Sequence, residues 1–378
     1  ANPLPVVSAT ASFSVICNTQ TIAVTGSGAD SYTWAASVGS HPTNGIAFSP
    51  TATANYTVVG TNTLTGCTST NNAVVTVTVN ALPSVTAAAT SSAICIGQSV
   101  TLNGSGASTY TWSASAGTAT NAVAFSPTST ASYTVTGTST AGCTSTNVAA
   151  LTVTVNPLPT LTISGTGTIC NSFGSTLTAS GASTYSWNTG PTTASIAVSP
   201  SSTAVYTATG TDVNSCVNAK SFTLNVNPLP VVSASTNSTV ICYGQVVTLN
   251  GSGANTYTWT ASNGTATNNV AFTPTATASY SLSGTSSAGC TSTNAAVVTV
   301  TVNALPVVGA ASSSSVICNT QTITVNGSGA DTFTWSASVG TATNGVAFSP
   351  GATANYSVTG TNTLTGCAST NNAVVTVT

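Results

Sequence analysis

The chain has 378 residues, with one Lys, three Asp, one His and no Arg or Glu, so that 1% of it is charged. An ordinary soluble protein carries roughly 25%. One cation cannot neutralise a phosphate backbone, and three scattered carboxylates supply neither paired general acids and bases nor the six to eight oxygens of a calcium site. Nucleic-acid binding and enzyme chemistry are therefore excluded, with no cofactor expected. The hydrophobic share of 41% is still enough to build packed cores. No apolar run reaches the roughly 18 residues of a membrane span.

One stretch returns five times. Cysteine and tryptophan recur 17 positions apart as Cys17/Trp34, Cys95/Trp112, Cys170/Trp187, Cys242/Trp259 and Cys318/Trp335, at a period of 72 to 78 residues. A fixed period of this size means an array of small domains. The joints are Asn2-Pro3-Leu4-Pro5, Asn80-Ala81-Leu82-Pro83, Asn156-Pro157-Leu158-Pro159, Asn227-Pro228-Leu229-Pro230 and Asn303-Ala304-Leu305-Pro306. They divide the chain into repeats 1–79, 80–155, 156–226, 227–302 and 303–378. Repeats one and five are near copies, two and four are close relatives, and three is short and divergent. The absence of Met and the mid-array start and stop lead us to expect a processed or excised piece of a longer array.

Within repeat two the apolar period is 2, which predicts strands. Val100 and Leu102 face one way, with Thr101 and Asn103 opposite. The Gly104-Ser105-Gly106-Ala107 turn follows, and then Tyr110 and Trp112 share a face. Val123 and Phe125 precede Pro127. Tyr133 and Val135 alternate with Thr134 and Thr136, and Leu151, Val153 and Val155 with Thr152 and Thr154. Six or seven short strands separated by turn signals predict an all-β fold, a tandem array of five small Ig-like β-sandwiches. No segment has helical periodicity.

Each repeat carries two cysteines, 46 to 50 residues apart. One disulfide within each repeat is the economical reading: Cys17–Cys67, Cys95–Cys143, Cys170–Cys216, Cys242–Cys290 and Cys318–Cys367. Closing such a loop contributes on the order of 4 kcal/mol in the chain-entropy model, comparable to the net stability of a domain this small. Metal binding, the competing reading, lacks both CxxC pairs and histidines. Disulfides imply an oxidising compartment, hence export.

The resemblance of the repeat is carried by Cys95 to Leu102 (Cys-x-Gly-x-x-Val-Thr-Leu), by Thr109-Tyr110-Thr111-Trp112, by Ala131 to Val135, by Ala141-Gly142-Cys143 and by the Asn-Pro-Leu-Pro joint. It resembles the bacterial Ig-like and PKD-like tandem modules of large secreted surface proteins, of the Bacteroidota type. The resemblance implies export, often by type IX secretion, and a stalk, adhesin or filament role, with no ligand. The Pro-to-Tyr spacing of six before Tyr133 also resembles the E–F corner of immunoglobulin sandwiches. Here Val135, not cysteine, stands two residues after the tyrosine.

Individual polar residues read as structural. His41 lies in a drifting loop. Asp30 and Asp331 follow the Gly-Ser-Gly-Ala turn and suit it, while Asp30-Ser31-Tyr32 and Asp331-Thr332-Phe333 loosely resemble bacterial O-glycosylation sequences. Asp212 and Lys220 flank Cys216 and are placed to pair across a hairpin. The five tryptophans read as core aromatics. The alternative, a carbohydrate-binding or cell-adhesion array, needs their rings exposed, and an ice-binding array needs one flat Thr face. Proline-stiffened joints predict a semi-rigid rod, about 150–200 Å long at about 3.3 Å per strand residue. Uncharged Thr/Ser/Asn faces and edges leave no charged guard against pairing, so self-association into a fibre is expected, with a glycan coat as the alternative. The expected setting is the cell surface or extracellular space. The expected partners are neighbouring repeats of a longer chain and further copies of itself.

Overall fold

The computed structural model describes residues 1–378 and contains strands and turns only, 33 strands in all. The first repeat supplies β1 (Ser8–Ala11), β2 (Val15–Cys17), β3 (Ile22–Ser27), β4 (Ser31–Ala36), β5 (Ala47–Phe48), β6 (Ala54–Thr61) and β7 (Ala73–Asn80). They form two sheets, ordered β1-β3-β5 and β2-β7-β6-β4. The pairing of β2 with β7 is parallel, Val15 to Cys17 against Thr78 to Asn80. The others are antiparallel. This is an Ig-like sandwich, and repeats two and four repeat both sheet orders strand for strand. The chain is a tandem array of such β-sandwiches.

The two-residue period builds the core. Along β6, Ala54, Tyr56, Val58 and Gly60 turn inward while Asn55 is exposed. They meet Val7, Ile16, Ile22, Val24, Trp34 and Val77 between the sheets. Phe48 meets Tyr56 edge-to-face at 5.3 Å, and repeats two, four and five keep this pair at 5.5, 5.4 and 5.2 Å. Burial raises the phenol pKa of Tyr56, Tyr133, Tyr280 and Tyr356 above its usual value. In the corner of repeat two, the Tyr133 hydroxyl is buried without a hydrogen-bond partner. The corner thus lacks the return bond to the backbone that its immunoglobulin counterpart makes.

The outward faces satisfy their hydroxyls across strands. Ser8 meets Ser27 at 2.6 Å, Thr86 meets Ser105 at 2.6 Å, and Ser233 meets Ser252 at 2.6 Å. Such pairs stand where most sheets place opposite charges.

The residues fall into two compact units. The first comprises Ala1–Ser164, Thr178–Ile196 and Tyr206–Ser221, and the second comprises Gly165–Leu177, Ala197–Val205 and Phe222–Thr378. Their boundary runs through repeat three, so the units do not coincide with the five repeats. In the first unit Thr184 to Trp187 pair with Ala208 to Thr211. In the second, Thr168 to Cys170 run parallel to Asn225 to Asn227.

The disulfides correct the expectation of one staple per repeat. The bonds are Cys17–Cys143 and Cys95–Cys216 in the first unit, and Cys170–Cys290 and Cys242–Cys367 in the second. Cys67 and Cys318 are unpaired. None of Cys17–Cys67, Cys95–Cys143, Cys170–Cys216, Cys242–Cys290 and Cys318–Cys367 forms. The reason is strand direction. Cys17 faces Asn80 at the C-terminal end of β7, whereas Thr68, next to Cys67, bridges Thr61 at the C-terminal end of β6. β6 and β7 are antiparallel, so the two cysteines sit at opposite ends of one sandwich. An eight-residue strand separates them, about 23 Å at 3.3 Å per residue. A disulfide needs Cα atoms within about 7 Å. The second cysteine also does not open the last strand in most repeats: Cys143 lies in the loop between Ala131–Thr138 and Ala149–Asn156.

Candidate functional site

With so few ionisable groups, the feature built most deliberately is the joint between consecutive repeats. Its first half is the end of β2 and the turn after it. The Cys17 carbonyl accepts from the Gln20 N–H at 3.0 Å, and the Gln20 Oε1 accepts from the Cys17 N–H at 2.8 Å. Gln98, Gln245 and Gln321 repeat this latch on Cys95, Cys242 and Cys318. The turn needs a left-handed residue in third place. Gly97 and Gly244 supply it in repeats two and four, but Thr19, Ser172 and Thr320 are held there at φ 86°, 70° and 76°. The Asn18 N–H then donates to Asn80 O at 2.9 Å, so the turn holds the first residue of the joint. Ile96, Asn171 and Tyr243 hold Asn156, Asn227 and Asn303 in the same way.

The second half is the loop between the sixth and seventh strands of the next repeat. In repeat two, the Ser139 N–H donates to Cys143 O at 2.9 Å, and the Gly142 N–H returns to Ser139 O at 3.0 Å. In repeat three, Asp212 closes this loop: its Oδ1 accepts from the Asn214 and Cys216 N–H groups, both at 2.8 Å. Lys220 is not among its partners. The carboxylate that reads as half of an ion pair instead shapes the loop carrying a bridging cysteine. Asp30 and Asp331 act on the same kind of loop. Each Oδ2 accepts from a threonine N–H, Thr63 at 3.0 Å and Thr363 at 2.9 Å. The adjacent Ser31 and Thr332 hydroxyls donate to Thr61 O and Thr361 O. His41 lies in an irregular stretch before Ala47–Phe48.

An amide then clamps the entering chain. Asn147 Oδ1 accepts from the Val85 N–H at 3.1 Å, and its Nδ2 donates to Val85 O at 2.8 Å. Asn71, Asn294 and Asn371 do the same for Val7, Val232 and Val308. Gly106 of the Gly-Ser-Gly-Ala turn has φ 93°, and a Cβ there would overlap the Ser84 carbonyl oxygen. Only glycine lets the entering strand pass this closely.

Each joint therefore has two tethers, the four-residue linker and a disulfide. Between repeats one and two, Cys17 is anchored beside Asn80 at the start of the linker. Cys143 lies in the loop whose Asn147 clamps Val85, just past its end. The paired Cα atoms are 5.5 or 5.6 Å apart in all four bonds. Cys143, Cys216, Cys290 and Cys367 are fully buried. A single flexible tether lets two bodies bend and twist; a second, offset one removes most of that freedom.

The tryptophans are spoken for. Trp34 and Trp187 are buried, and Trp112, Trp259 and Trp335 pack half-buried against their cores. An asparagine that the sequence does not flag holds four of them. Asn44 Oδ1 accepts both the Gly26 N–H at 2.6 Å and Trp34 Nε1–H at 3.1 Å. Asn121, Asn268 and Asn344 repeat this on Trp112, Trp259 and Trp335. In repeat three Trp187 Nε1–H donates to Thr193 O at 2.9 Å. A Thr-Asn pair nine or ten residues after each of these four tryptophans was the available signal. No three His, Cys, Asp or Glu side chains converge, and no helix is long and apolar enough to cross a membrane.

Fold and joint together define a tandem Ig-like chain cross-linked between neighbouring repeats. No protein-family model matches it, and no curated protein does at a significant level. Among solved structures it is similar to a Ca2+-stabilised adhesin with which an Antarctic bacterium binds ice (16% identity, 80% of this chain, 100% of that one, TM-score 0.32). It is also similar to a structure from a 1.5-MDa bacterial ice-binding adhesin (13%, 60%, 100%, 0.31). A third is the D1–D4 ectodomain fragment of ICAM-5 (9%, 79%, 100%, 0.33). Likenesses at this level say nothing about what the chain binds.

Proposed function

We propose that this chain is a non-enzymatic structural segment, the shaft of an extracellular bacterial stalk, adhesin or filament. Each repeat (1–79, 80–155, 156–226, 227–302, 303–378) acts as one module of it. The observation that carries this reading is the disulfide beside each joint, Cys17–Cys143 and its three equivalents. A binding module gains little from bonding itself to its neighbours, whereas a load-bearing or spacing element gains a joint that neither bends freely nor separates. Disulfides of this kind persist outside the reducing cytosol. Type IX secretion fits the resemblance to Bacteroidota surface modules. The carbohydrate-binding alternative is disfavoured by tryptophans that pack into cores and donate their indole N–H groups internally.

Small-angle X-ray scattering tests the shaft. Replacing all eight bridging cysteines with serine, with strand content checked by circular dichroism, should broaden the distribution of interatomic distances and shift weight to shorter ones. Curves that superimpose would remove the mechanical role of the staples.

Lateral association is supported by β4 (Ser31–Ala36), an outer strand of its sheet that carries no charged residue. The hydroxyls outside and the near-absence of charge make such an assembly almost indifferent to salt. Sedimentation across a salt series checks this, and dissolution to monomers by high salt alone counts against it.

A further inference from the structure

The four bonds follow one rule: the cysteine ending the second strand of a repeat bonds the cysteine in the last loop of the next repeat. Applied to five repeats, the rule leaves one cysteine of each kind over. They are Cys67, of the last-loop kind, and Cys318, of the second-strand kind, and these two are unpaired. Both retain the local structure that their bonded counterparts use. The Cys318 N–H is latched by Gln321 Oε1 at 2.8 Å, as Cys17 is by Gln20. The Asn62 N–H donates to Cys67 O at 2.9 Å, and Asn362 to the bonded Cys367 at 2.9 Å.

Exposure separates the two sets. The four bonded last-loop cysteines are 0% exposed, whereas Cys67 is half-buried and Cys318 is exposed. Beside Cys318 lies a pocket of about 210 Å³, lined by Ile317, Asn319, Pro350, Thr353 and Thr378 among others. The repeats that carry the two thiols are near copies. The loop around Cys67 (Asn62-Thr63-Leu64-Thr65-Gly66-Cys67) matches residue for residue the loop that Cys242 bonds in repeat five (Asn362-Thr363-Leu364-Thr365-Gly366-Cys367).

We infer that Cys318 of one copy of this chain bonds Cys67 of a second copy, joining copies head to tail through the joint already used four times within the chain. The step is an oxidation by an external disulfide, either a small-molecule disulfide such as oxidised glutathione or a dithiol oxidase. The Cys318 thiolate attacks one sulfur and expels one thiolate. The Cys67 thiolate of the second copy then attacks the mixed disulfide and expels the other. Two electrons and two protons leave the protein's thiols and end on the two released thiols, and one new S–S bond remains.

The test is oxidation of the full chain in a glutathione buffer, followed by alkylation and non-reducing electrophoresis. Wild-type protein should form a ladder in steps of 36.7 kDa. The variants Cys67→Ser and Cys318→Ser should each stay monomeric, and their mixture should stop at a dimer. In a mixture of unlabelled and 15N-labelled wild-type protein, peptide mapping should find Cys67–Cys318 peptides joining light to heavy chains. Monomers with two alkylated thiols would overturn the inference, as would symmetric Cys67–Cys67 or Cys318–Cys318 bonds, or a ladder that survives in either variant. The same map reports the four internal bonds. If these are intact but the ladder is missing, this inference fails alone; if these are absent, the shaft falls too.

Discussion

Replacing Cys143 by serine separates the two possible pairings more sharply than any other single change. In the structure Cys143 bonds Cys17, 126 residues away, and two cysteines are free. Thiol titration in denaturant without reductant should therefore find two reactive thiols in wild type and three in the variant. Pairing within repeats predicts none and one. The energetic consequence follows from the loop. Closing 126 residues removes about 5 kcal/mol of denatured-state entropy in the chain-entropy model. Cys95–Cys216 already constrains residues 95–143 of that loop, so the separable loss is smaller, about 2–4 kcal/mol. In domains of this size, that lowers Tm by roughly 10–20 °C. Calorimetry of the variant against wild type measures it. Zero thiols in wild type, or a Cys17–Cys67 peptide in its digest, would refute the reasoning outright.

Three further outcomes are expected. Thr19→Gly relieves a left-handed threonine at a turn where repeats two and four already use glycine, and should raise stability by about 0.5–1 kcal/mol in a urea melt. Asn121→Ala strands the Gly104 and Trp112 N–H donors and should cost about 2–3 kcal/mol, with Asn121→Asp, which keeps the acceptor, losing less. Stability should be nearly flat from about pH 4 to 9, because only three carboxylates and one imidazole titrate there. Above about pH 10 it should fall. The phenols of Tyr56, Tyr133, Tyr280 and Tyr356 are raised by burial. The unfolded chain therefore loses these protons first, and stability drops as pH rises through the folded values. A pH series of melts with the free thiols blocked checks this.

Much of the fold was legible in the residue order. Alternation along Tyr133 to Thr136 and Leu151 to Val155 marked strands, and the Pro-to-Tyr spacing marked the corner with its edge-to-face Phe125–Tyr133 pair. These patterns are local: a two-residue period has one structural meaning, and a buried face must be apolar. Gly106 was legible as a turn residue, but not as the point over which the next strand passes. Asn121 and Asn147 were not legible at all. Their roles lie in partners 9 and 62 residues away, and an asparagine in a loop carries no mark of what its amide will reach.

The cysteines show most clearly where the residue order stops. By itself the sequence determined that there are five repeats, that each is a small β-sandwich, and that two cysteines recur in every one. It also supported, by repetition, pairing each cysteine with its nearest counterpart. Tertiary structure decided otherwise, because a sandwich strand traverses the whole domain and each reversal moves the chain to the other end. Cys17 lies where repeat one leaves for its neighbour, and Cys67 lies at the opposite end of the same sandwich. What faces Cys17 is Cys143 of the next repeat. Proximity along the chain and proximity in space part company at that point, and the staple that looked like support for a single domain is a bond between two.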